Sequence, residues 1–211
     1  MESGKSEILS EVAEYYSSKL AQHGETPQGV DWNGREGQYL RFKQLTRIIE
    51  SAEQFSINDI GSGYGAFFDY LQERHSAFSY DGIDVSADMI SAAKLRYQDQ
   101  AHARFHVGSE PARSADYGVA SGIFNVRLGR TDDQWSTYLE SVLDTLDKTS
   151  RMGFAFNCLT SYSDPDKKRD YLYYADPGVL FDLCKRRYSR NVALLHDYDL
   201  YEFTILVRKQ P

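Results

Sequence analysis

"INDIGSGYGAFFDYL" (residues 57–71) sets three glycines at alternate positions between a short apolar run and a segment with helical periodicity. Glycine adopts positive φ angles readily, and without a Cβ it lets a ligand come close to the backbone. In open α/β sheets, ligands bind just beyond the carboxyl ends of the strands. The stretch therefore predicts a first strand, a tight turn and a first crossover helix, with a cofactor at the turn.

Strand-like and helix-like segments alternate along the rest of the chain. Helices are predicted at 66–74, 87–98, 132–146 and 177–187. Strands are predicted at 56–60, 79–85, 103–107, 117–121, 151–157, 192–196 and 202–207. This alternation indicates an α/β fold with a Rossmann-like, doubly wound and mostly parallel seven-stranded sheet. Only a turn-like segment at 197–199 separates the last two strands, so we expect them to form an antiparallel hairpin with one strand inserted into the sheet.

Three of the predicted helices begin with capping signals. Ser86 precedes the second helix of the alternation and is a favoured N-cap residue. Thr131 and Gln134 have the spacing of a capping box. Asp176 is followed by a proline, which suits the first position of a helix.

The N-terminal part of the chain has a different organisation. Helices are predicted at 8–20 and 38–51, separated by a Gly-, Pro- and Asn-containing loop at 23–37. We interpret residues 1–55 as a helical cap on a core at 56–211, within a single domain at 1–211. A lid-like insertion is predicted at 157–177, which with residues 23–42 would cover the strand ends from two sides. Compact domains rarely keep such long loops without a function, and the tyrosines of the insertion argue against the alternative of a disordered loop.

The composition favours a soluble globular protein of the cytoplasm. Hydrophobic residues make up 41% and charged residues 26% of the 211 residues, as is typical of globular domains. The net charge of -7 and the shortness of the basic runs disfavour nucleic acid as a partner. The two cysteines, Cys158 and Cys184, form neither a disulfide framework nor a metal cluster. No apolar run has the length of a signal peptide or a membrane span, so no membrane association and no metal site are predicted.

Acidic residues flank the glycine turn. Asp59 enters it, and the spacing G-x-G-x-G differs from the G-x-G-x-x-G of dinucleotide sites. A carboxylate at this point repels a pyrophosphate and suits a positively charged group. Asp84 ends the second predicted strand, where a carboxylate can accept both hydroxyls of a ribose. Alternatively, Asp84 could serve only as an acid at the start of the next helix. Ser86 is the better capping residue there, which leaves Asp84 free for a ligand.

Four motifs together resemble those of the class I S-adenosylmethionine-dependent methyltransferases. They are "DIGSGYG" (59–65), "GIDVS" (82–86), "VGSE" (107–110) and "YGVASGIFN" (117–125). The resemblance extends over residues 56–208, including the closing hairpin. The chain looks most like the small stand-alone enzymes that methylate metabolites, including those of bacterial secondary-metabolite and polysaccharide pathways.

The resemblance implies a site for S-adenosylmethionine along the glycine turn. Asp59 would orient the amino end of the cofactor, Asp84 would hold the ribose, and Met89 would lie against adenine. The other residues that the resemblance assigns to the cofactor are Gly61, Ser62, Gly63, Gly65, Val85, Ser109, Glu110, Ser121 and Gly122. Arg41 could pair the cofactor carboxylate, because Arg forks suit carboxylates; the alternative is a solvent-exposed salt bridge.

The acceptor would lie under the two covering segments. Trp32, Tyr162, Tyr173 and Tyr201 are the candidate substrate residues. Methyl transfer requires alignment and exclusion of water, and a hydroxyl acceptor also benefits from a base. His196 is the first candidate for this base and His23 the second, with Tyr201 and Glu202 at the same turn. A carboxylate or neutral amine acceptor would need no base.

We interpret the chain as an enzyme that transfers a methyl group from S-adenosylmethionine to a small molecule, by O-methylation of a metabolite, natural-product or sugar-type intermediate. "FNVR" (124–127) lacks the prolines found there in DNA amino-methylating enzymes, which weighs against nucleic acid. Two alternatives stay open. One is an inactive S-adenosylmethionine-binding subunit or sensor, and the other is a nucleotide-dependent oxidoreductase, against which the glycine spacing counts. The sequence leaves the acceptor and the oligomeric state open.

Overall fold

A mixed seven-stranded sheet organises the protein, which we describe from a computed structural model covering residues 2–50 and 54–209. The strands lie in the order β3-β2-β1-β4-β5-β7-β6. Their bounds are β1 Phe55–Ile60, β2 Phe78–Asp84, β3 Ala103–Val107, β4 Ala115–Ala120, β5 Ser150–Leu159, β6 Asn191–Leu195 and β7 Glu202–Arg208. The strand order reverses between β1 and β4, so a crevice opens at their carboxyl ends, where such sheets bind ligands.

β7 runs in the direction opposite to the other six strands. It pairs antiparallel with β5, from Gly153 opposite Arg208 to Leu159 opposite Glu202, and antiparallel with β6. The pairs β1–β2, β1–β4, β2–β3 and β4–β5 are parallel. The predicted Rossmann-like sheet, with a closing hairpin that inserts one strand, is therefore confirmed.

Six α-helices accompany the sheet in the described part of the chain. They are α1 Glu2–His23, α2 Arg35–Leu45, α3 Ala66–Gln72, α4 Ala87–Arg96, α5 Asp132–Thr149 and α6 Pro177–Arg187. The capping signals are confirmed: Ser86 Oγ accepts from Met89 N, Asp176 Oδ1 accepts from Gly178 N and Val179 N, and Thr131 forms a capping box with Gln134. These contacts satisfy backbone N–H groups that have no partner within the helix.

The second helix differs from its prediction. It begins at Arg35 and ends at Leu45, where a 3₁₀ turn at Thr46–Ile48 follows. The Thr46 hydroxyl donates to the Phe42 carbonyl, and the extended backbone of Ile49 stops further winding. The predicted end of this helix at Ser51 lies outside the described residues.

The apolar residues form a core on each face of the sheet. One core packs residues of α2, α3 and α4 against the sheet, with Phe42, Phe68 and Ile90 among them. The other packs residues of α1, α5 and α6, including Val12 and Leu143. The sheet is thus covered on both sides, which leaves its carboxyl edge as the place for polar ligands.

The two segments predicted to cover this edge make hydrogen bonds there, although residues 157–159 of the predicted insertion belong to β5 and pair with β7. Asp31 accepts from Tyr15 Oη and Lys19 Nζ of α1, each at 2.7 Å. In the insertion, Tyr173 N donates to Asn125 O at 2.8 Å, and Leu172 forms a β-bridge with Val126. The first segment is therefore held against α1, and the second against the connection between β4 and α5.

Thr131→Ala removes the side-chain half of the α5 capping box and should lower the free energy of unfolding by about 1 kcal/mol. For a chain of this size that corresponds to a fall of roughly 2–4 °C in melting temperature. Thermal unfolding followed by circular dichroism measures the change. Thr137→Ala is the control: its hydroxyl only bonds back to Asp133 O within the same helix, so it should be neutral or stabilising. Equal losses in both variants would contradict the capping role.

Candidate functional site

The turn between β1 and α3 has the backbone that its glycines predict. Gly61, Gly63 and Gly65 all have positive φ angles, of 78°, 55° and 88°. A Cβ on Gly65 would lie 2.5 Å from the Tyr97 ring, closer than carbon atoms can approach. Gly61 and Gly63 line the cavity above the turn, whereas Gly65 is the N-cap residue of α3 and faces the core residues Tyr97 and Phe105. The predicted ligand contact of Gly65 stays a prediction.

Asp59 ends in a buried carboxylate with one unsatisfied oxygen. Its Oδ2 accepts from Tyr80 Oη at 2.5 Å, and its Oδ1 has no hydrogen-bond partner among the described residues. Burial raises the pKa of Asp59 to about 7, with a smaller contribution from the charge of Asp84. A carboxylate that is buried without a cation is costly. The arrangement therefore favours a positively charged group beside Oδ1.

Asp84 holds the neighbouring corner. Its Oδ2 accepts from Gly63 N at 2.8 Å and its Oδ1 from Ser86 N at 2.9 Å. Burial raises the pKa of this carboxyl above its ordinary value, although these backbone donors lower it. The carboxylate is thus fixed in orientation at the end of β2, where it can accept from hydroxyl groups of a ligand.

These residues surround what we call the turn cavity. The predicted residues Asp59, Gly61, Ser62, Gly63, Asp84, Val85, Met89, Ser109, Ser121 and Gly122 all line it. The hydroxyls of Ser62 and Ser121 are buried without a hydrogen-bond partner in the described part of the chain. Glu110 is not among the lining residues, so its predicted adenine contact stays a prediction.

Helix α1 covers the turn cavity. Leu9, Val12 and Tyr16 line it from above, which sequence reasoning missed because helical periodicity does not say where a terminal helix docks. The free volume that remains is about 90 Å³, below the roughly 300 Å³ of the smallest ordinary ligand pockets. Helix α1 therefore forms the roof of a narrow cavity above the glycine turn.

A second space, which we call the outer cavity, adjoins the first. It has a volume of about 560 Å³ and is lined by both covering segments, through Asp31, Asn33, Arg41, Arg169 and Tyr171 among others. Four residues line both cavities: Tyr16, Val30, Trp32 and Gly122. Trp32 and Gly122 are in direct contact, since a Cβ on Gly122 would lie 2.3 Å from Trp32 Cζ2. The two cavities thus meet at the carboxyl end of β4.

Arg41 lies in the outer cavity and is absent from the lining of the turn cavity. Its Nε and Nη2 donate to Glu202 at 2.8 and 3.0 Å, and its guanidinium carbon lies 4.0 Å from the centroid of the Trp32 ring. Both charged groups are buried or nearly so. Neither predicted role of Arg41 included this partner, and its pairing with a cofactor carboxylate stays a prediction.

The remaining candidates lie outside both cavities. His196 is exposed at the end of β6, with its ring 6.0 Å from that of Tyr162, which is itself 74% exposed. Tyr201 donates to Asp164 at the surface. Tyr173 packs against the core on the α5 side, and His23 is exposed at the end of α1. Their predicted roles as base and substrate contacts stay predictions.

Two general features of the described residues complete the description. Across 2–50 and 54–209, no group of three or more His, Cys, Asp or Glu side chains is placed to hold a metal ion. Within the same ranges no helix is both long enough and apolar enough to cross a bilayer.

Comparisons with known proteins agree with this geometry. A family model described as a methyltransferase domain matches residues 57–149. A protein of Mycobacterium tuberculosis (strain ATCC 25618 / H37Rv) named "Putative methyltransferase Rv1506c" is 61% identical over 163 residues, which make up 77% of this chain and 98% of that protein. The chain belongs to the class I S-adenosylmethionine-dependent methyltransferases.

Solved structures share the fold of this methyltransferase at low sequence identity. The "DhpI-SAM-HEP complex" superposes with a TM-score of 0.65 at 14% identity, covering 96% of this chain and 98% of that one. Magnesium protoporphyrin IX methyltransferase from Synechocystis PCC 6803 with bound SAH has a TM-score of 0.62 at 11% identity, covering 82% and 84%. The fold is therefore that of proteins solved with this cofactor or its product.

S-adenosylmethionine is the cofactor of the methyltransferase, and the turn cavity fits it chemically. The unpartnered Oδ1 of Asp59 suits the ammonium of the methionine part. The fixed carboxylate of Asp84 suits ribose hydroxyls. The cofactor brings an electrophilic methyl group on a sulfonium, and the residues of the turn would bind and orient it.

The affinity for S-adenosylhomocysteine should rise with pH because Asp59 must ionise to pair the ammonium. With a pKa of about 7, the carboxylate is mostly protonated near pH 5.5 and half ionised near pH 7. We expect affinity to rise roughly tenfold between these values, both below the α-amino pKa of about 7.7–8. Isothermal titration calorimetry measures it.

Asp59→Asn should bind more weakly and lose this dependence. The effect of pH on stability has the opposite sign. Because the pKa of Asp59 is raised from 3.8 to about 7 in the folded protein, the ligand-free protein loses stability as pH rises from about 3.8 to about 7. Above that pH the variant should melt no lower than wild type. A wild-type affinity that is flat over this pH range would contradict the role of Asp59.

Proposed function

We propose that this methyltransferase transfers the methyl group to an oxygen atom of a small metabolite bound in the outer cavity. The contact between the two cavities at Trp32 and Gly122 carries this proposal. A cofactor held by the turn would present its methionine end near Ser121 and Gly122, and the outer cavity begins there. In-line transfer requires the acceptor and the methyl group to meet at such a junction.

The size of the outer cavity supports a small acceptor. Its volume of about 560 Å³ is within the range of roughly 300–1,000 Å³ for small-molecule pockets. Residues 23–42 cover it on one side and residues 157–177 on the other, which would exclude water and would hinder a folded macromolecule. The acidic net charge of -7 also disfavours nucleic acid.

The polarity of the outer cavity supports an acceptor that bears oxygens. Arg41, Asn33, Asn125 and Arg169 supply donors, and Tyr171 adds an aromatic wall. The charge of Arg41 is balanced by Glu202, and that of Asp31 by Lys19. A hydroxylated intermediate of the natural-product or sugar type suits such a surface better than a polyanion. An acceptor oxygen that is already ionised, such as a carboxylate, would need alignment and no protein base.

Transfer from methyl-deuterated S-adenosylmethionine to fractionated cell extract tests the proposal. Label in an ether or ester of a compound in the small-molecule fraction supports it. Label confined to protein or nucleic acid, or to nitrogen or carbon of a metabolite, would contradict it. Tight S-adenosylhomocysteine binding without transfer to any fraction would favour the alternative of a binding subunit or sensor.

Gly122→Ala should separate binding from transfer. The added methyl group would meet Trp32 at 2.3 Å, and the residue has a φ of 76°, so the junction between the cavities must distort. Since a misplacement of about 1 Å costs on the order of 100-fold in rate, we expect transfer to fall by roughly that factor. S-adenosylhomocysteine affinity should change much less, because Gly122 lines the edge of the turn cavity that adjoins the outer cavity and Asp59 and Asp84 are unchanged.

Gly129→Ala is the matched control in the same connection between β4 and α5. A Cβ there meets nothing within 4 Å, so this variant should keep the wild-type rate. A Gly122→Ala enzyme that transfers methyl groups as fast as Gly129→Ala would show that the junction is not the path of the methyl group.

A further inference from the structure

Glu202 is a buried carboxylate whose acceptor positions are all filled. It begins β7, and its side chain is fully buried. Oε2 accepts from Arg41 Nε at 2.8 Å and Asn157 Nδ2 at 2.6 Å, whereas Oε1 accepts from Arg41 Nη2 at 3.0 Å and Asn125 Nδ2 at 3.4 Å. A carboxylate has about four lone-pair sites. Glu202 is therefore poorly suited to take a proton from an acceptor.

Two chains of contacts lead from Glu202 to the junction of the cavities. The first runs through Asn157, whose Oδ1 accepts from Gly122 N at 2.8 Å. The second runs through Arg41, whose guanidinium lies over the Trp32 ring at 4.0 Å. Trp32 and Gly122 then touch each other. One carboxylate thus holds both sides of the wall that the turn cavity and the outer cavity share.

We propose that Glu202 is a positioning residue for methyl transfer: through Arg41 and Asn157 it fixes Trp32 against Gly122 and so sets the opening between cofactor and acceptor. The inference rests on the proposed function, because it takes the outer cavity as the acceptor site. In this proposal Glu202, the first residue of β7, sets the alignment of acceptor and methyl group, whereas the glycine turn only holds the cofactor.

Stability alone is a weak reason for this network. A buried ion pair often stabilises no better than apolar residues of similar volume, because both charges lose their hydration. The network also joins four separate elements: α2, the connection after β4, β5 and β7. Bidentate pairing restricts both side chains to one geometry. Such a network is suited to holding Trp32 in a defined position against Gly122.

The test follows Trp32 directly. The chain has two tryptophans, Trp32 and Trp135, so protein labelled with 5-fluorotryptophan should give two ¹⁹F resonances, assigned by Trp32→Phe. Trp135 is buried in the core with its Nε1 donating to Phe124 O, and it serves as an internal reference.

Two variants perturb the network. Glu202→Gln keeps the shape of the side chain but removes the charge. Arg41→Lys keeps the charge but loses the planar group over Trp32, and it carries the test if Glu202→Gln does not fold.

Asp81→Asn is the matched control. Asp81 is another buried carboxylate, paired with Arg113 at 2.9 Å, and it lines neither cavity. We expect Glu202→Gln and Arg41→Lys to shift or broaden the Trp32 resonance while that of Trp135 stays in place. Methyl transfer should fall by at least roughly tenfold, with S-adenosylhomocysteine affinity kept within about threefold. In Asp81→Asn the melting temperature should fall without a change in the Trp32 signal or the transfer rate.

Two results would overturn the proposal. One is a Trp32 resonance that stays at its wild-type position in both Glu202→Gln and Arg41→Lys, or that moves as far in the control Asp81→Asn as in these two variants. The other is an altered Trp32 resonance with an unchanged transfer rate. Failure of the wild type to bind S-adenosylhomocysteine or to methylate any small molecule would instead overturn the proposed function, while the resonance comparison still tests whether Glu202 positions Trp32.

Discussion

The buried carboxylate of Asp59 is the constraint on which the ligand-binding edge of the sheet depends. It is 2% exposed, it has one hydroxyl partner, and no cation of the described residues pairs with it. Burial raises its pKa to about 7, so ionisation at neutral pH opposes folding. An apolar side chain at the end of β1 would avoid this cost. A ligand that brings its own positive charge removes it, which links the stability of the turn to occupancy of the site.

The contrast between Asp59 and Glu202 separates two uses of a buried carboxylate. Asp59 keeps an unsatisfied oxygen facing a cavity, which leaves binding capacity for a ligand. Glu202 has donors on both oxygens and faces Arg41, so its capacity is used within the protein. A ligand with a positive charge would therefore stabilise the Asp59 carboxylate, whereas the Glu202 carboxylate restricts the positions of Arg41 and Asn157. Both lie at the carboxyl edge of the sheet, one on each side of Gly122.

The sequence predicted those features that depend on neighbouring residues. The glycine turn and the caps at Ser86, Thr131 and Asp176 are local, because each is decided within about five residues. The contact of Arg41 with Glu202 joins residues 161 positions apart, and no pattern along the chain encodes it. For the same reason Asn157 could not be connected to Gly122. Residues 1–55 could be predicted as a helical cap on the core, but not with α1 directly above the turn cavity.

Helix α1 links the turn cavity to the segment that carries Trp32. Three of its side chains occupy the space above the turn. Its polar contacts to the body include Arg130 with Glu7 and Glu11, and Ser17 with Ser86. The two ion pairs of Arg130 involve exposed carboxylates and contribute about 0–1 kcal/mol each, whereas Ile8 and Val12 of α1 are buried in the core. The helix continues into the loop after His23, and Asp31 of that loop accepts hydrogen bonds from Tyr15 and Lys19 of α1, so a movement of α1 would also act on the segment that carries Trp32. Because Tyr16 of α1 lines both cavities, the helix that covers the cofactor side of the junction also contributes to its acceptor side.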